Sequence, residues 1–553
     1  MQLSGAEIMC RILAEEGVTT VFGYPGGAIL PFYDALRQSP IQHILTAHEQ
    51  GAAHAADGFA RASGKVGVCI ATSGPGATNL VTGLATAFLD SVPVVAITGQ
   101  VNRALIGHDA FQEVDITGIT MPITKHNFLV KKPENLAQTL RLAFQLAREG
   151  RPGPVLVDVP RDVQTALIDF EEARLAELQP LEPDAERVAA AAAAINKAQR
   201  PVMLVGGGVI NANAEYDAMH LCEKLHIPVV STLMGLGAIS AYRQLFLGMT
   251  GLHGHERANN AVKEADLILA VGSRFNDRVT GERSSYSANK LIIHLDIDPA
   301  EVDKNIDSGI GITGDMVATL NALEKAAQPH DLSAWWDKIN SWPGMDDDFG
   351  DEEAPRFFKA LNPVLKDKDY IITTDVGQHQ MWAAQHLKIQ FARQWLTSGG
   401  LGTMGFGLPA ALGAQLARPQ SRVISISGDG GFKMTGSELF TIASNNVPVI
   451  AIVFNNSGLG MIRQLQTVQF AKRFTACELP GYVDFVKYAA AFGIEGEHAD
   501  TPEALAQAVT KAWENRKPYL IEVCVNPKNM VLPMVAPGLG INDFVKFAND
   551  EIN

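Results

Sequence analysis

The fold of this chain is decided by the stretch VISISGDGG, residues 423–431, together with a second apolar run that ends at Asn455-Asn456. The first run is typical of a buried strand, and the glycines around Asp429 mark a tight turn into a helical segment. The spacing from Asp429 to Asn456, 27 residues, accommodates one helix and one strand. One βαβ unit therefore places both side chains at the carboxyl ends of neighbouring parallel strands, where open α/β sheets bind ligands.

The chemistry of these two side chains indicates what the turn binds. A carboxylate and an amide oxygen suit Mg²⁺, which takes few protein oxygens and completes its shell with phosphate oxygens and water. The glycines at 428, 430 and 431 let backbone N–H groups approach a phosphate. The alternative is a plain strand-to-helix turn, and Asn455-Asn456 at this spacing favours the metal and phosphate site over it.

The rest of the chain repeats the alternation of apolar runs and helical patterns. Such alternation predicts βαβ units on parallel sheets, and 553 residues are enough for several domains. We predict three doubly wound α/β domains, over residues 1–165, 185–340 and 355–553. The acidic ranges 166–184 and 342–353 are interpreted as linkers, and no strand is predicted in the first of them.

Composition limits the function classes. Lys and Arg total 45 against 60 Asp and Glu, which gives a net charge of −15 and argues against nucleic acid or anionic lipid as a partner. An anionic ligand must then be held by a local site. The five cysteines show no CxxC spacing and are interpreted as reduced core residues of a cytoplasmic protein. Neither a signal peptide nor a membrane span is predicted.

The Gly-Asp-Gly to Asn-Asn arrangement resembles the thiamine-diphosphate-binding motif of a superfamily of decarboxylases and carboligases. The resemblance implies that Asp429, Asn456 and a backbone oxygen of Gly458 hold Mg²⁺, which bridges to the cofactor's diphosphate. The superfamily also has an N-terminal glutamate that pairs with the aminopyrimidine ring, and AHEQG at 47–51 supplies it as Glu49. Without this resemblance, Glu49 would be interpreted as a surface carboxylate.

Over nearly its whole length the sequence is similar to the catalytic subunits of acetohydroxyacid (acetolactate) synthases. The similarity lies in the segments GYPGGA (23–28), HEQGA (48–52), TSGPGATN (72–79), DAFQE (109–113), GRPGP (150–154), RVTG (278–281) and GGLGTMG (399–405). It implies a thiamine-diphosphate-binding fold with a central FAD-binding-type domain. In that family FAD is structural rather than redox-active.

The resemblance implies a role for individual residues. Glu49 and Gln112 act in catalysis, and Met404 is the apolar wedge that folds the cofactor. The residues implied to line or bind thiamine diphosphate are Gly26, Gly27, Ala28, Val376, Gly377, Gln378, His379, Gly402, Met404, Gly428, Asp429, Gly430, Asn456, Gly458 and Met461. The residues implied to bind FAD are Arg151, Gly206, Gly207, Gly208, Thr232, Leu233, Leu252, His253, Gly272, Arg274, Arg278, Asp296 and Asp315. A glycine run after a strand fits a dinucleotide turn, although the full GxGxxG fingerprint is absent.

Substrate contacts are assigned on the same basis. Arg278 is the candidate for the carboxylate of the second 2-oxoacid, because a guanidinium grips a carboxylate bidentately; the alternative is a surface or FAD-linked salt bridge. Phe111 and Leu465 are further candidates, and Arg161 has a peripheral role at the channel mouth. The family usually carries Trp at the position of Leu465. Its loss enlarges the pocket, which predicts a weak preference for 2-oxobutyrate and tolerance of herbicides that stack on that Trp.

Other departures from the family are Asn276, where Asp is usual, His108 and the segment 457–459. They leave open a relative with a different acceptor.

The implied activity is decarboxylation of pyruvate and ligation of the two-carbon unit to a second 2-oxoacid. Pyruvate gives 2-acetolactate and 2-oxobutyrate gives 2-aceto-2-hydroxybutyrate, in branched-chain amino acid biosynthesis. The implied assembly is a homodimer or homotetramer with interfacial active sites and a small regulatory subunit. The alternatives are a related carboligase, a pyruvate oxidase or a non-catalytic regulatory paralogue. A glyoxylate carboligase is disfavoured, because its family has Val where Glu49 stands.

Overall fold

Three six-stranded parallel sheets form the frame of the molecule. The computed structural model describes residues 1–172, 175–176, 179–347, 353–536 and 538–545. Each sheet lies within one of the ranges 1–165, 185–340 and 355–553, whose boundaries stay predictions, and a two-stranded antiparallel sheet joins β1 to β8. The strands are β1 Gln2–Ser4, β2 Thr20–Tyr24, β3 Gln42–Leu45, β4 Gly67–Ala71, β5 Val94–Gln100, β6 His126–Leu129, β7 Val155–Pro160, β8 Leu167–Asp169, β9 Pro201–Val205, β10 Val229–Ser231, β11 Phe246–Met249, β12 Leu267–Val271, β13 Leu291–Asp296, β14 Ile310–Thr313, β15 Tyr370–Thr374, β16 Trp395–Thr397, β17 Arg422–Gly428, β18 Ile450–Asn455, β19 Glu495–His498 and β20 Tyr519–Cys524.

Helices connect the strands and cover the sheets. They are α1 Gly5–Glu15, α2 Leu30–Leu36, α3 Glu49–Ser63, α4 Pro75–Thr78, α5 Val81–Leu89, α6 Ile116–Thr120, α7 Leu136–Arg148, α8 Arg161–Thr165, α9 Ala185–Ile195, α10 Gly207–Asn211, α11 Glu215–Leu225, α12 Glu256–Glu264, α13 Asp277–Thr280, α14 Arg283–Ser287, α15 Met316–Ala326, α16 Ser333–Asn340, α17 Glu353–Leu365, α18 Gln378–His386, α19 Gly407–Ala417, α20 Asp429–Thr435, α21 Glu438–Ser444, α22 Gly460–Gln469, α23 Phe485–Ala490 and α24 Pro502–Asn515. No helix in the described part of the chain is long and apolar enough to cross a membrane.

The first and third sheets share one topology. Their strand orders are β3-β2-β4-β5-β7-β6 and β16-β15-β17-β18-β20-β19, which are the same order when each sheet is numbered from its own first strand. In both sheets the order reverses beside the first strand, between β2 and β4 and between β15 and β17. A crevice opens at such a switch point at the carboxyl ends of the strands. Each of these two domains therefore has one crevice in which a ligand can bind.

The middle sheet has the order β11-β10-β9-β12-β13-β14. This is the arrangement of dinucleotide-binding doubly wound folds, with its switch point between β9 and β12. Both strands, PVMLV and LILAV, are buried along their whole length. Continuous apolar runs are what a sheet covered on both faces requires.

One interpretation of the sequence is wrong at the start of the first linker. Strand β8 lies within the range 166–184, for which no strand is predicted, and pairs antiparallel with β1, with Leu3 opposite Ile168. Only Ile168 of the three residues of β8 is buried, so the strand is too short to leave a pattern in the sequence. Residues 173–174, 177–178 and 348–352 of the two linkers lie outside the described residues.

Four of the cysteines are buried, as predicted, and Cys524 is exposed, so the interpretation as a core residue is wrong there. Cys524 is the last residue of β20, where the strand leaves the sheet. Burial raises the pKa of the Cys10, Cys69 and Cys222 thiols to about 12. These three thiols are therefore protonated and unreactive at neutral pH.

The end of the described chain returns to the middle domain. Val535 N donates to Leu252 O at 2.8 Å and Asn259 Nδ2 donates to Ile541 O at 2.5 Å. Ile541 belongs to the same apolar cluster as Val202 and Ile268 of the middle sheet. Residues 535–536 and 538–541 therefore close one side of the middle domain.

Candidate active site

The residues predicted to hold a metal ion converge at the switch point of the third sheet. Strand β17 ends at Gly428 and β18 ends at Asn455, so Asp429 is the first residue of α20 and Asn456 begins the loop after the neighbouring strand. The N–H of Gly458 donates to Asp429 Oδ2 and to Asn456 Oδ1, at 3.1 Å in each case. Burial raises the pKa of Asp429 to about 6. A cation would offset the cost of this buried charge, and the donor set of carboxylate and amide oxygens fits Mg²⁺.

The other side of this switch point is formed by the loop after β15. Helix α18 starts at Gln378, and Gln378 Oε1 accepts a hydrogen bond from Asn456 Nδ2 at 3.3 Å. His379 is buried, and its Nε2 has no hydrogen-bond partner among the described residues. Burial lowers the pKa of His379 to about 3. Buried polar atoms are nearly always paired, so a ligand that brings its own oxygens, such as a diphosphate, fits here.

Met404 lies over the same site on a loop held by a buried carboxylate. The N–H of Gly405 donates to both oxygens of Asp375, at 2.9 and 3.0 Å. The Met404 methyl group is 3.5 Å from the place where a Cβ of Gly430 would stand. A Cβ on Gly431 would lie 2.4 Å from Asp375 Oδ2, so Gly431 makes room for this carboxylate. Asp375 thus fixes Met404 against the Gly-Asp-Gly turn.

A single large cavity, with a volume of about 1160 Å³, extends from this site to the switch point of the middle sheet. The residues predicted for the diphosphate side that line it are Val376, Gly377, Gln378, His379, Gly402, Met404, Gly428, Asp429, Gly430, Asn456, Gly458 and Met461. Those predicted for FAD that line it are Arg151, Gly207, Gly208, Thr232, Leu233, Leu252, His253, Gly272, Arg274, Arg278, Asp296 and Asp315. Leu465 also lines the cavity.

Gly206 is the exception among the glycines predicted to bind FAD, since it does not line this cavity. A Cβ on Gly206 would lie 2.1 Å from Gly272 O, and the Gly206 N–H donates to Val271 O at 2.9 Å. Gly206 therefore lets the loops after β9 and β12 meet, and the next two glycines face the cavity.

Three of the arginines that line the cavity, Arg151, Arg274 and Arg278, are among the residues predicted to bind FAD, and Arg151 is held by an ion pair. Arg151 Nη1 lies 2.5 Å from Glu301 Oε1, and its Nε donates to Ser91 Oγ at 2.7 Å. Burial, with Arg151 nearby, lowers the pKa of Arg274. Arg278 is 65% exposed and lies 3.8 Å from Asp277, a weak surface pair that leaves its guanidinium available.

Glu49 belongs to a second cluster in the first domain. It is the first residue of α3, and its Oε2 accepts a hydrogen bond from Asn79 Nδ2 at 2.9 Å. The loop after β4, which continues into α4, lies beside it, since a Cβ on Gly76 of α4 would lie 3.4 Å from Glu49 Oε1. Gln112 lies beside the same loop, next to Gly74, and has a left-handed φ of 60°.

Gly26, Gly27 and Ala28 follow β2 on the other side of this switch point. Ala28 N donates to Thr72 Oγ1 at 3.3 Å, and a Cβ on Gly26 would collide with the Thr72 side chain. The structure therefore brings Glu49, Gln112 and the 26–28 loop together around the loop after β4.

The two clusters do not meet within one chain. Glu49, Gln112 and residues 26–28 are absent from the lining of the cavity that holds Asp429. Phe111 is 88% exposed beside Gln112, and Arg161 is also exposed, so neither reaches the cavity.

Comparison with known proteins identifies the family. Residues 3–119, 188–323 and 375–523 match, in this order, the thiamine pyrophosphate enzyme N-terminal TPP binding domain, central domain and C-terminal TPP binding domain. The chain is 47% identical to a probable acetolactate synthase large subunit of Methanocaldococcus jannaschii, over 98% of this chain and 95% of the relative. It is 46% identical to the acetolactate synthase isozyme 2 large subunit of Escherichia coli, over 98% of this chain and 100% of the relative. A Mycobacterium tuberculosis acetolactate synthase large subunit is 44% identical, over 100% of this chain and 91% of the relative.

The chain belongs to the acetolactate synthase large subunits. It is a thiamine-pyrophosphate-dependent enzyme of that family, and the predicted resemblance and fold class are confirmed. The two TPP binding domains of this family correspond to the Glu49 cluster and to the Asp429 cluster.

Three residues of this acetolactate synthase family member acquire a role only in the structure. Asn79 contacts Glu49, and Asp375 holds the loop that carries Met404. Glu438 is buried on α21 and accepts hydrogen bonds from Ala47 N at 3.1 Å and His48 N at 3.2 Å. A Cβ on Gly51 would collide with Glu438. The glycine at position 51 is therefore the sequence signal for the contact between Glu438 and the start of α3.

Proposed function

We propose that this chain is the catalytic subunit of an acetolactate synthase. It decarboxylates one pyruvate and joins the two-carbon unit to a second pyruvate, which gives 2-acetolactate and CO₂. With 2-oxobutyrate as acceptor it gives 2-aceto-2-hydroxybutyrate. The observation that carries the proposal is the convergence of Asp429 and Asn456 on Gly458 in a chain 44–47% identical to acetolactate synthase large subunits.

Mg²⁺ and thiamine diphosphate are the cofactors. Asp429, Asn456 and Gly458 hold the metal ion, and Gln378 and His379 face the diphosphate. The unpaired Nε2 of His379 and the raised pKa of Asp429 support this assignment. When bound, thiamine diphosphate supplies the electron sink that the decarboxylation of a 2-oxoacid needs.

Glu49 would exchange a proton between its carboxylate and a ring nitrogen of the bound cofactor. Asn79 orients the carboxylate through Oε2, which leaves Oε1 for the cofactor. Gln112 and the 26–28 loop shape the same pocket and exclude water, which strengthens the ionic hydrogen bond. Met404 would support the cofactor with an apolar surface from the other side.

The separation of the two clusters supports a homodimer or homotetramer with interfacial active sites. A two-fold axis would place the Glu49 cluster of each subunit opposite the Asp429 cavity of the other. Exposed apolar side chains at Leu30, Phe111 and Met121 lie in the same domain as Glu49 and fit a buried interface. The large-subunit names of the relatives support a small regulatory subunit as a further partner. We place the enzyme in the cytoplasm.

FAD occupies the part of the cavity beside the middle sheet. The strand order of this sheet and the glycines that follow β9 and β12 support a dinucleotide there. The cavity exceeds the upper end, about 1000 Å³, of ordinary single-ligand sites, as two cofactors require. Asp315 caps α15 through Ala318 N, so it has a structural role besides facing this ligand.

The second 2-oxoacid binds between Arg278 and Leu465. Arg278 takes the carboxylate, and Leu465 gives an open apolar wall that discriminates little between the methyl of pyruvate and the ethyl of 2-oxobutyrate. Phe111 contributes from the partner's side, and Arg161 remains peripheral.

Product analysis of the purified protein tests the proposal. Pyruvate with Mg²⁺, thiamine diphosphate and FAD should give 2-acetolactate and one CO₂ per product, and removal of Mg²⁺ by EDTA should stop the reaction. An equimolar mixture with 2-oxobutyrate should give both products in similar amounts. The variant Glu49→Gln should lose at least about 100-fold in kcat, the usual contribution of a proton-transfer group.

Three results would contradict this proposal. Consumption of O₂ with pyruvate would indicate an oxidase. The absence of CO₂ would indicate a non-catalytic paralogue. A strong bias toward 2-aceto-2-hydroxybutyrate would contradict the role of Leu465.

A further inference from the structure

A fully buried carboxylate lies behind the loop that carries Asn456 and Gly458. Glu522 is on β20, the strand next to β18, and faces Val453 in the register of the two strands. Its Oε1 accepts a hydrogen bond from Asn455 Nδ2 at 2.7 Å, and its Oε2 accepts one from Phe485 N at 2.9 Å. His498 Nδ1 stands 3.6 Å from Oε2, beyond hydrogen-bond distance.

Among the described residues, every group that hydrogen-bonds to the Glu522 side chain donates. Tyr482 adds a third donor, its hydroxyl, 3.4 Å from Oε1. An ionised carboxylate can only accept, so it suits all three donors, whereas a side-chain amide would oppose one of them with its own N–H groups. Glu522 thereby fixes the orientation of the Asn455 amide, with its nitrogen toward the carboxylate.

The fixed amide controls the next turn of the chain. Because Asn455 Nδ2 points at Glu522, its Oδ1 is left for Ser457 N, which donates to it at 3.0 Å. Ser457 has a left-handed φ of 54°, an unfavourable conformation for a residue other than glycine. This turn brings Gly458 N within 3.1 Å of both Asp429 Oδ2 and Asn456 Oδ1.

We propose that Glu522 is a positioning residue for the metal ion. Through the Asn455 amide it holds residues 455–458 in the turn that sets the Asp429 and Asn456 oxygens together. The inference rests on the proposed binding of Mg²⁺ at these oxygens. Neither Glu522 nor Asn455 needs to touch the ion, because outer hydrogen bonds orient the groups that do.

The hydrogen-bond donor Asn455 and the acceptor Glu522 can be exchanged by mutation, and this exchange tests the proposal. In Glu522→Gln, the new amide satisfies either Asn455 or Phe485 and opposes the other. In Asn455→Asp, two carboxylates face each other across 2.7 Å. The double variant Asn455→Asp/Glu522→Gln restores one donor and one acceptor with the same net charge, and leaves an oxygen for Ser457 N.

The readout is the affinity for Mg²⁺, measured by isothermal titration calorimetry of the full-length protein with saturating thiamine diphosphate. We expect each single variant to bind Mg²⁺ about tenfold more weakly or worse, as loss of an outer hydrogen bond to a metal site does, and the double variant to recover most of the loss. Tyr482→Phe is the matched control, because it removes a donor to the same carboxylate oxygen without touching Asn455. It should leave the affinity unchanged.

The melting temperature of the metal-free variants separates positioning from plain stability. A structural role alone would lower the melting temperature and leave the Mg²⁺ affinity as in the wild type, and that result would overturn the proposal. So would a double variant no better than the singles. If Glu522→Gln does not fold, the comparison of Asn455→Asp with the double variant decides. If the wild type binds no Mg²⁺, the proposed cofactor role is wrong as well. If the wild type binds Mg²⁺ and the variants bind it equally well, only the role of Glu522 is wrong.

Discussion

Asp158 is a buried carboxylate near the carboxyl end of β7, away from the metal site. Its oxygens accept hydrogen bonds from Thr98 Oγ1 at 2.7 Å and Gln100 Nε2 at 2.9 Å. Gln100 Nε2 also donates to Val114 O at 3.0 Å, two residues after Gln112. Burial raises the pKa of Asp158 from 3.8 to about 7. The group therefore supports the Gln112 segment through Gln100 and titrates near neutrality.

The sign of the raised pKa predicts how stability changes with pH. Between pH 4 and 7 the folded chain holds a proton on Asp158 that the unfolded chain has lost. The stability this gives is complete below pH 3.8 and is lost as pH rises through about 7. Asp158→Asn removes the titration and keeps a partner for Thr98. In the wild type we expect the free energy of unfolding to fall by up to about 1.4 kcal/mol per pH unit over this range. The Asp158→Asn variant should not show this fall.

Urea unfolding at pH 5, 6, 7 and 8 measures this difference. Other buried carboxylates, such as Asp296, titrate in both proteins and cancel in the comparison. Parallel pH profiles of wild type and variant would contradict the assignment.

Residues that act within a short motif could be predicted from the sequence, and those that act across the chain could not. Asp429 and Asn456 carry their own signal, because a strand, a turn and a spacing are local. Asp375 and Glu438 acquire a role only from folding: Gly405 is 30 residues from Asp375, and Ala47 is 391 residues from Glu438. Gly206 is a further residue whose role the sequence does not show. It packs against Gly272, whereas the adjacent Gly207 and Gly208 line the cavity.

At the scale of elements, the first and third domains are joined by the helices α3 and α19. A Cβ on Gly58 would lie 2.1 Å from Ala410 O, and one on Gly413 would lie 1.8 Å from Ala55 O. The two helices therefore touch through their backbones at glycines that have ordinary helical conformations. Because α3 begins at Glu49, this contact also places the Glu49 carboxylate relative to the third domain.

Gly413→Ala tests that contact. In an exposed helix the change would stabilise by up to about 1 kcal/mol, whereas here the methyl group meets a backbone oxygen and the helices must separate. We expect a loss of about 1–3 kcal/mol in the free energy of unfolding, typical of overpacking. The control is Asp337→Ala on α16, an exposed helical position that should change stability by less than about 0.5 kcal/mol. A gain in stability for Gly413→Ala would show that the helices can separate at no cost.

Sheet existence was predictable at this scale, and strand order was not. Apolar runs such as LILAV predict buried strands, but nothing in their composition says that β9 lies between β10 and β12. The order follows from crossover connections and helix packing over the whole domain. The switch points, and with them the location of the cavity, therefore come from the structure.

At the scale of the whole molecule, the two clusters lie on two sheets of identical topology. The Glu49 cluster lies at the switch point of the first sheet and the Asp429 cluster at that of the third. Within one chain the two clusters do not share a cavity, since Glu49 does not line the cavity at Asp429. In the proposed homodimer, a two-fold axis would bring the first domain of one subunit to the third domain of the other, and one dimer would then contain two complete sites.

Mixing two inactive variants tests this arrangement. Glu49→Gln and Asp429→Asn should each be inactive alone, because each breaks both sites of its homodimer. In a mixed dimer, one site combines the intact Glu49 of one chain with the intact Asp429 of the other, and the second site carries both changes. Random pairing of co-expressed chains makes about half of the dimers mixed, so about a quarter of the wild-type acetolactate-forming activity should return. If each site were built within one chain, no pairing could restore activity, and a mixture as inactive as its components would contradict the interfacial site.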